Sequence, residues 1–170
     1  TMNKKRSFGV LYVDDESRSI KYFRDLFEDI APVFTAENVN SGFDVFKRNQ
    51  EQIGLILSDQ KMPDGTGLDF LTKIKEYSPR PLRILVTAFA DLNSAVGALN
   101  DGLLYSYLTK PWDPEDLERR IIQALDYFEV THQRDKLLEE KSLAFQQLTM
   151  ADKAVSMDIL SCGLNHHMRN

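Results

Sequence analysis

What narrows the fold of this chain first is a set of short apolar runs, each stopped abruptly by polar residues and separated by a helix-like segment. Phe8-Gly9-Val10-Leu11-Tyr12-Val13 is cut off by Asp14-Asp15-Glu16, and the run Ile53 to Ser58 ends at Asp59. Arg83 to Val86 gives way to Thr87-Ala88, and Leu104 to Leu108 to Thr109-Lys110-Pro111. Val33 to Ala36 is a shorter run of the same kind. Apolar runs this short, bounded by such punctuation, read as buried strands. Between them, Ile20, Phe23, Leu26, Phe27 and Ile30 follow the helical period behind Ser17, which reads as an N-cap, and Pro32 ends that helix. A second helix is expected over Ser41 to Asn49, with Phe43, Val45 and Phe46 apolar. Gly67 opens a third through Leu68, Phe70, Leu71 and Ile74, closed near Ser78-Pro79-Arg80-Pro81. Asp91 to Asn100 forms a fourth, with Asp101-Gly102 as its stop. Regular alternation of this kind predicts an α/β fold, a doubly wound five-stranded parallel sheet with helices on both faces.

The C-terminal ends of parallel strands share one edge, and open α/β sheets bind their ligands there. That edge gathers Asp14 and Asp15 from the first strand, Asp59 from the third, Thr87 from the fourth and Lys110 from the fifth. Any one aspartate taken alone reads equally well as a helix cap or a turn residue, as Asp64-Gly65 does in Met62-Pro63-Asp64-Gly65. The spaced set points to a site. Crowded carboxylates either raise one another's pKa or hold a cation, and oxygen donors alone favour Mg²⁺. Lys110 can neutralise a phosphoryl oxygen as a point charge, and Thr87 can donate its hydroxyl to another. An aspartyl carboxylate is a competent nucleophile toward phosphorus when a metal and a cation screen its approach. The expected chemistry is in-line attack by Asp59, with Mg²⁺ held by Asp15 and Asp59. Trp112 and the phenylalanines read as core rather than as ligand contacts.

From Pro114 onward the pattern changes. No glycine or proline interrupts the chain until Gly163, and apolar residues recur at three- and four-residue steps. Leu117, Ile121, Leu125 and Phe128 are expected to pack back on the sheet. Leu138, Phe145, Leu148, Ala151, Val155 and Ile159 continue as a stripe with nothing of the chain left to cover it. A helix rising ~1.5 Å per residue over this span outruns a globular domain, so a coiled-coil-like helix and a parallel homodimer are expected. Asp135, Ser142 and Asp152 interrupt the heptads and leave the register open.

The sheet segment resembles a two-component response-regulator receiver domain. The motifs are VDDE at Val13 to Glu16, LSDQKMPDGTG at Leu57 to Gly67, VTAFAD at Val86 to Asp91 and YLTKPW at Tyr107 to Trp112. The resemblance implies a flavodoxin-like receiver over residues 7–127, preceded by a disordered stretch or tag remnant at 1–6 and followed by a helical signalling segment at 128–170. It makes Asp59 the phosphoacceptor, Asp14 and Asp15 the acid pair, and Thr87 and Tyr107 the switch pair. Lys110 becomes the family lysine before a cis bond to Pro111, and the Lys61 carbonyl a further metal ligand. On this account Tyr107 turns from solvent toward the core when the phosphoryl group draws Thr87 inward. The tail Gly163-Leu164-Asn165-His166-His167-Met168-Arg169-Asn170 resembles the start of a histidine-kinase dimerisation domain, with His166 as a second phosphoryl acceptor. His167 departs from the acidic residue that family places there. Two other readings of the tail stay open: a zinc site shared by Cys162 and His166 across a dimer, and chemically idle histidines.

Composition excludes several classes. A net charge of -5 and no Lys/Arg stripe argue against nucleic acid as a partner. A single cysteine rules out an internal disulfide and suits a reducing compartment. No signal peptide and no membrane-length apolar run are evident, so a cytoplasmic protein without direct membrane contact is expected. The function that follows is acceptance of a phosphoryl group on Asp59, from a cognate histidine kinase or phosphotransfer protein, relayed through a dimeric helix to a kinase-like output. The alternatives are a receiver with a plain coiled-coil or partner-binding arm and, from another class, a Mg²⁺-dependent aspartyl phosphohydrolase. The last requires an aspartate two residues after the nucleophile, where this chain has Lys61.

Overall fold

The computed structural model describes residues 5–167, with side chains to residue 164. In chain order the elements are β1 (Gly9–Val13), α1 (Ser17–Phe27), β2 (Val33–Ala36), α2 (Val39–Asn49), β3 (Ile53–Asp59), β4 (Lys61–Met62), β5 (Gly65–Thr66), α3 (Gly67–Tyr77), β6 (Leu82–Thr87), a 3₁₀ turn at Phe89–Asp91, α4 (Leu92–Asn100), β7 (Ser106–Thr109) and α5 (Pro114–His167). Five strands form one sheet in the order β2-β1-β3-β6-β7, and every pairing is parallel. The doubly wound fold expected from the alternation is therefore present. β4 and β5 form a small antiparallel hairpin across Pro63-Asp64, which is the turn expected there.

Strand residues alternate between two faces, and both faces are packed. On one, Val10, Tyr12, Leu55, Leu57, Ile84 and Val86 meet Phe23 and Phe27 of α1 and Leu117, Ile121, Ala124 and Leu125 of α5. On the other, Leu11, Val13, Ile56 and Leu85 meet Phe46 of α2, Phe70, Leu71 and Ile74 of α3 and Ala95 of α4. Burial on both faces is why β1 and β3 read as unbroken apolar runs. The register pairs Val13 with Ser58, Asp59 with Val86 and Thr87 with Thr109, so the polar strand ends arrive together at one edge.

Several local expectations need correction. Ser17 is the first residue of α1 and Glu16 is its N-cap, with no side-chain capping bond. α2 begins at Val39, because Asn38 and Ser41 form a reciprocal capping box that the apolar pattern did not reveal. The Asp91 start of the fourth helix belongs to the 3₁₀ turn. The last strand begins at Ser106 rather than Leu104, although Leu104 is buried. Phe89 and Phe145 are 79% and 71% exposed, so neither is core. Trp112 is only partly buried, packed against the first cluster and stacked on Tyr22 at 5.5 Å. Residues 1–4 lie outside the described residues. Arg6, placed in the disordered stretch by its sequence, donates its backbone N–H to Ile30 and pairs with Asp126 at 3.0 Å.

Geometry requires glycine at several positions, Gly67 and Gly102 among them. A Cβ on Gly67 would sit 2.2 Å from the carbonyl oxygen of Asp59, so only glycine lets α3 start against the end of β3. Gly102 turns the chain after α4 with φ of +72°.

The chain divides into two compact units after Glu129. The second is helix, and its apolar side chains are uncovered: Leu138, Phe145, Leu148, Val155 and Ile159 are all more than half exposed. Among the described residues no helix is long and apolar enough to cross a membrane.

Candidate functional site

β1 delivers Asp14 and Asp15, β3 delivers Asp59, and carboxylate oxygens of all three lie within 4.8 Å of one another. Asp14 is fully buried, Asp59 is 8% exposed, and Asp15 faces solvent. The loop after β7 brings in Lys110, whose Nζ lies 3.1 Å from Asp14 Oδ2 and 3.1 Å from Asp59 Oδ1. The Lys110–Pro111 bond is cis, as the resemblance implied, and the Lys110 backbone N–H donates to the Thr87 carbonyl at 2.9 Å. Thr87 is buried at the end of β6. Asp14, Asp15, Asp59 and Lys110 converge, while the Thr87 hydroxyl donates to the Ala88 carbonyl at 3.3 Å.

Burial pushes the Asp59 carboxyl up from its ordinary value, and the nearby Asp14 charge adds to this, while the Lys110 hydrogen bond works the other way. Lys110 loses solvation by burial, but its hydrogen bonds to Asp14 and Asp59 outweigh that and raise it, so it stays an ammonium. Three carboxylates against one lysine leave an excess of negative charge among hard oxygen donors. Such a donor set fits a divalent cation that keeps some of its waters.

The remaining expected residues sit nearby. Tyr107 in β7 pairs with Leu85 and is already partly buried against the second core cluster, rather than wholly in solvent. Lys61 lies in β4, and its Nζ pairs with Asp91 Oδ2 at 3.2 Å, joining the loops after β3 and β6. α5 is helical through His167. Cys162 is exposed. The side chains of His166 and His167, and residues 168–170, lie outside the described residues, so both the phosphoacceptor and zinc readings of the tail fall there.

Two residues escaped sequence reasoning. The Tyr12 hydroxyl donates to Asp14 Oδ2 at 2.6 Å, and burial together with that bond pushes the phenol well above its usual range. Tyr12 lies in β1 and Asp14 is the residue just past its end, so extended backbone two residues apart puts both on one face, a signal that was available. Asp64 accepts the backbone N–H groups of Val39 and Asn40, each at 3.0 Å, and so caps α2 from the β4–β5 hairpin.

The response regulator receiver domain family matches residues 10–122. The hydrogenase transcriptional regulatory protein HoxA of Cupriavidus necator is 32% identical over 117 residues, covering 69% of this chain and 24% of HoxA. A receiver domain protein from Clostridium thermocellum shares 32% identity at a TM-score of 0.69, covering 73% of this chain and 98% of that one. The DrrB receiver domain in its BeF3-activated form shares 26% identity at a TM-score of 0.60, covering 70% of this chain and 97% of that one. The chain spans about a quarter of the length of the curated relatives it matches.

Proposed function

Because this chain belongs to the response regulator receiver family, we propose that it accepts a phosphoryl group on Asp59 in a two-component phosphorelay and passes that state on through its C-terminal helix. The observation that carries this is the position of Lys110, 3.1 Å from Asp14 and from Asp59 within one acidic cluster. Asp59 Oδ attacks phosphorus in line, and the bond from phosphorus to the donor breaks, its electron pair leaving with the donor. Lys110 then neutralises one equatorial oxygen and the Thr87 hydroxyl donates to another. Asp15, Asp59 and the Lys61 carbonyl, with Asp14 behind them, would hold Mg²⁺, which when bound would supply positive charge between the carboxylate and the incoming phosphoryl group. The movement of Thr87 makes room for Tyr107 to complete its burial.

The donor is a cognate histidine kinase or phosphotransfer protein, and the compartment is the cytoplasm. The second unit forms a parallel homodimer, its exposed stripe covered by the same stripe of a second copy. A kinase-like acceptor at His166 is a second reading, supported by unbroken helix through Cys162, Gly163 and Leu164. The phosphohydrolase alternative is disfavoured, since Lys61 stands where its acid–base aspartate is needed and is paired with Asp91.

Intact-mass analysis and light scattering with acetyl phosphate and Mg²⁺, on wild type and Asp59→Asn, test this. The expected result is a Mg²⁺-dependent gain of one phosphate, absent in the variant, with a change in assembly. A gain in wild type with no change in assembly would sink the output part of the reading.

A further inference from the structure

Tyr12 has no part in the chemistry above, yet its hydroxyl reaches the same Asp14 oxygen as Lys110. The two donors approach Oδ2 at 2.6 Å and 3.1 Å, while Oδ1 accepts the Glu16 backbone N–H at 2.9 Å. Asp14 has no exposed surface, so bulk water cannot replace a donor that leaves. A buried carboxylate short of a donor is strongly unfavourable. Lys110 is just such a donor, since it divides itself between Asp14 and Asp59 and has to turn toward an incoming phosphoryl group. Tyr12 cannot follow. Its ring is 1% exposed and stacked on Phe23 with centroids 4.3 Å apart and planes 17° from parallel.

Resting on the assignment of Asp59 as phosphoacceptor, we infer that Tyr12 is a positioning residue that keeps Asp14 hydrogen-bonded while Lys110 moves from Asp14 to the phosphoryl group. In the resting site the hydroxyl shares Asp14 with the ammonium. As Lys110 leaves, the hydroxyl becomes the remaining side-chain donor to Oδ2, and the aspartate stays hydrogen-bonded and oriented. Without it, Asp14 would hold Lys110 back, and phosphoryl transfer would slow even though the acidic cluster still stood.

Tyr12→Phe removes the hydroxyl and keeps the stacked ring. Two quantities are compared with wild type: half-saturation by Mg²⁺, followed by fluorescence of the single tryptophan, Trp112, and the rate of phosphate gain from acetyl phosphate at saturating Mg²⁺. The expected result is an unchanged Mg²⁺ half-saturation and a rate lower by roughly ten-fold, the effect of losing one hydrogen bond to a charged group. A rate equal to wild type overturns the inference. So does a joint weakening of Mg²⁺ binding and rate, since Tyr12 would then merely order the acidic pair.

A second measurement needs no variant. The Tyr12 hydroxyl proton, in a short buried hydrogen bond, should give a downfield proton resonance in the wild-type chain. Adding Mg²⁺ and beryllofluoride should move it further downfield as Lys110 departs, and its loss or upfield movement contradicts the hand-over. Failure of wild type itself to gain phosphate removes the Asp59 assignment and the inference with it. A normal gain in wild type and in Tyr12→Phe removes the inference alone.

Discussion

Asp59 carries opposed demands, because a nucleophile has to be ionised while burial and the Asp14 charge disfavour ionisation. Its pKa is raised from 3.8. Any stability this shift supplies is therefore present below 3.8 and lost as pH rises through the higher folded value. Above that folded value the charged carboxylate opposes folding in the metal-free chain. Asp59→Asn is accordingly expected to melt at or above the wild-type temperature without divalent cation, and added Mg²⁺ to raise the melting temperature of wild type more than that of the variant. Thermal melts with and without Mg²⁺ check both, and a clearly lower melting temperature for the metal-free variant contradicts the electrostatic account. The cluster itself was legible in the sequence because each member closes a strand, and parallel strands end together. Tyr12 was not singled out, because its neighbours made it look like one more apolar strand residue.

Contacts between elements are where sequence reasoning ran short, since nothing local in a chain announces a partner far along it. Asp64 looked like a turn residue and is one, but its carboxylate also holds the start of α2 through Val39 and Asn40. Those two N–H groups outweigh the opposing effect of burial and hold its pKa below the ordinary 3.8. The stability it supplies is full above 3.8 and is lost as pH falls through the depressed folded value. Asp64→Ala is expected to cost about 1 kcal/mol in denaturant unfolding at pH 7, the usual value of a lost cap. The gap to wild type should shrink in acid, and a constant gap would contradict this. Arg83 read as the start of an apolar strand. It is instead a buried guanidinium donating to the carbonyls of Leu103 at 2.7 Å, Pro81 at 2.7 Å and Pro79 at 3.2 Å, so it ties the loop before β6 to the loop before β7. Arg83→Met leaves those carbonyls without that donor and is expected to destabilise by about 2–4 kcal/mol. A loss well under 1 kcal/mol would mean that they find other partners.

Across the whole chain, the sequence separated a sheet domain from a helical arm, and the two compact units divide after Glu129. Phe128 is buried in the first unit and makes an edge contact with Phe8 at 4.9 Å. The arm's apolar stripe is exposed, and the parallel homodimer proposed above would cover it. Cys162 lies seven residues beyond Val155 and so on the same stripe. In a parallel, in-register homodimer two copies of Cys162 face each other, and mild oxidation should yield a disulfide-linked dimer that Cys162→Ser abolishes. A dimer in light scattering that resists this cross-linking would contradict the parallel arrangement.

Every part of this mechanism depends on where the phosphoryl group goes. Borohydride reduces an aspartyl phosphate to homoserine, which peptide mass spectrometry locates to a single position. After treatment with acetyl phosphate and Mg²⁺, the chain should carry homoserine at position 59, and only when both reagents are present. Homoserine at Asp14 or Asp15, or at no position, would contradict the assignment of Asp59 as the phosphoryl acceptor.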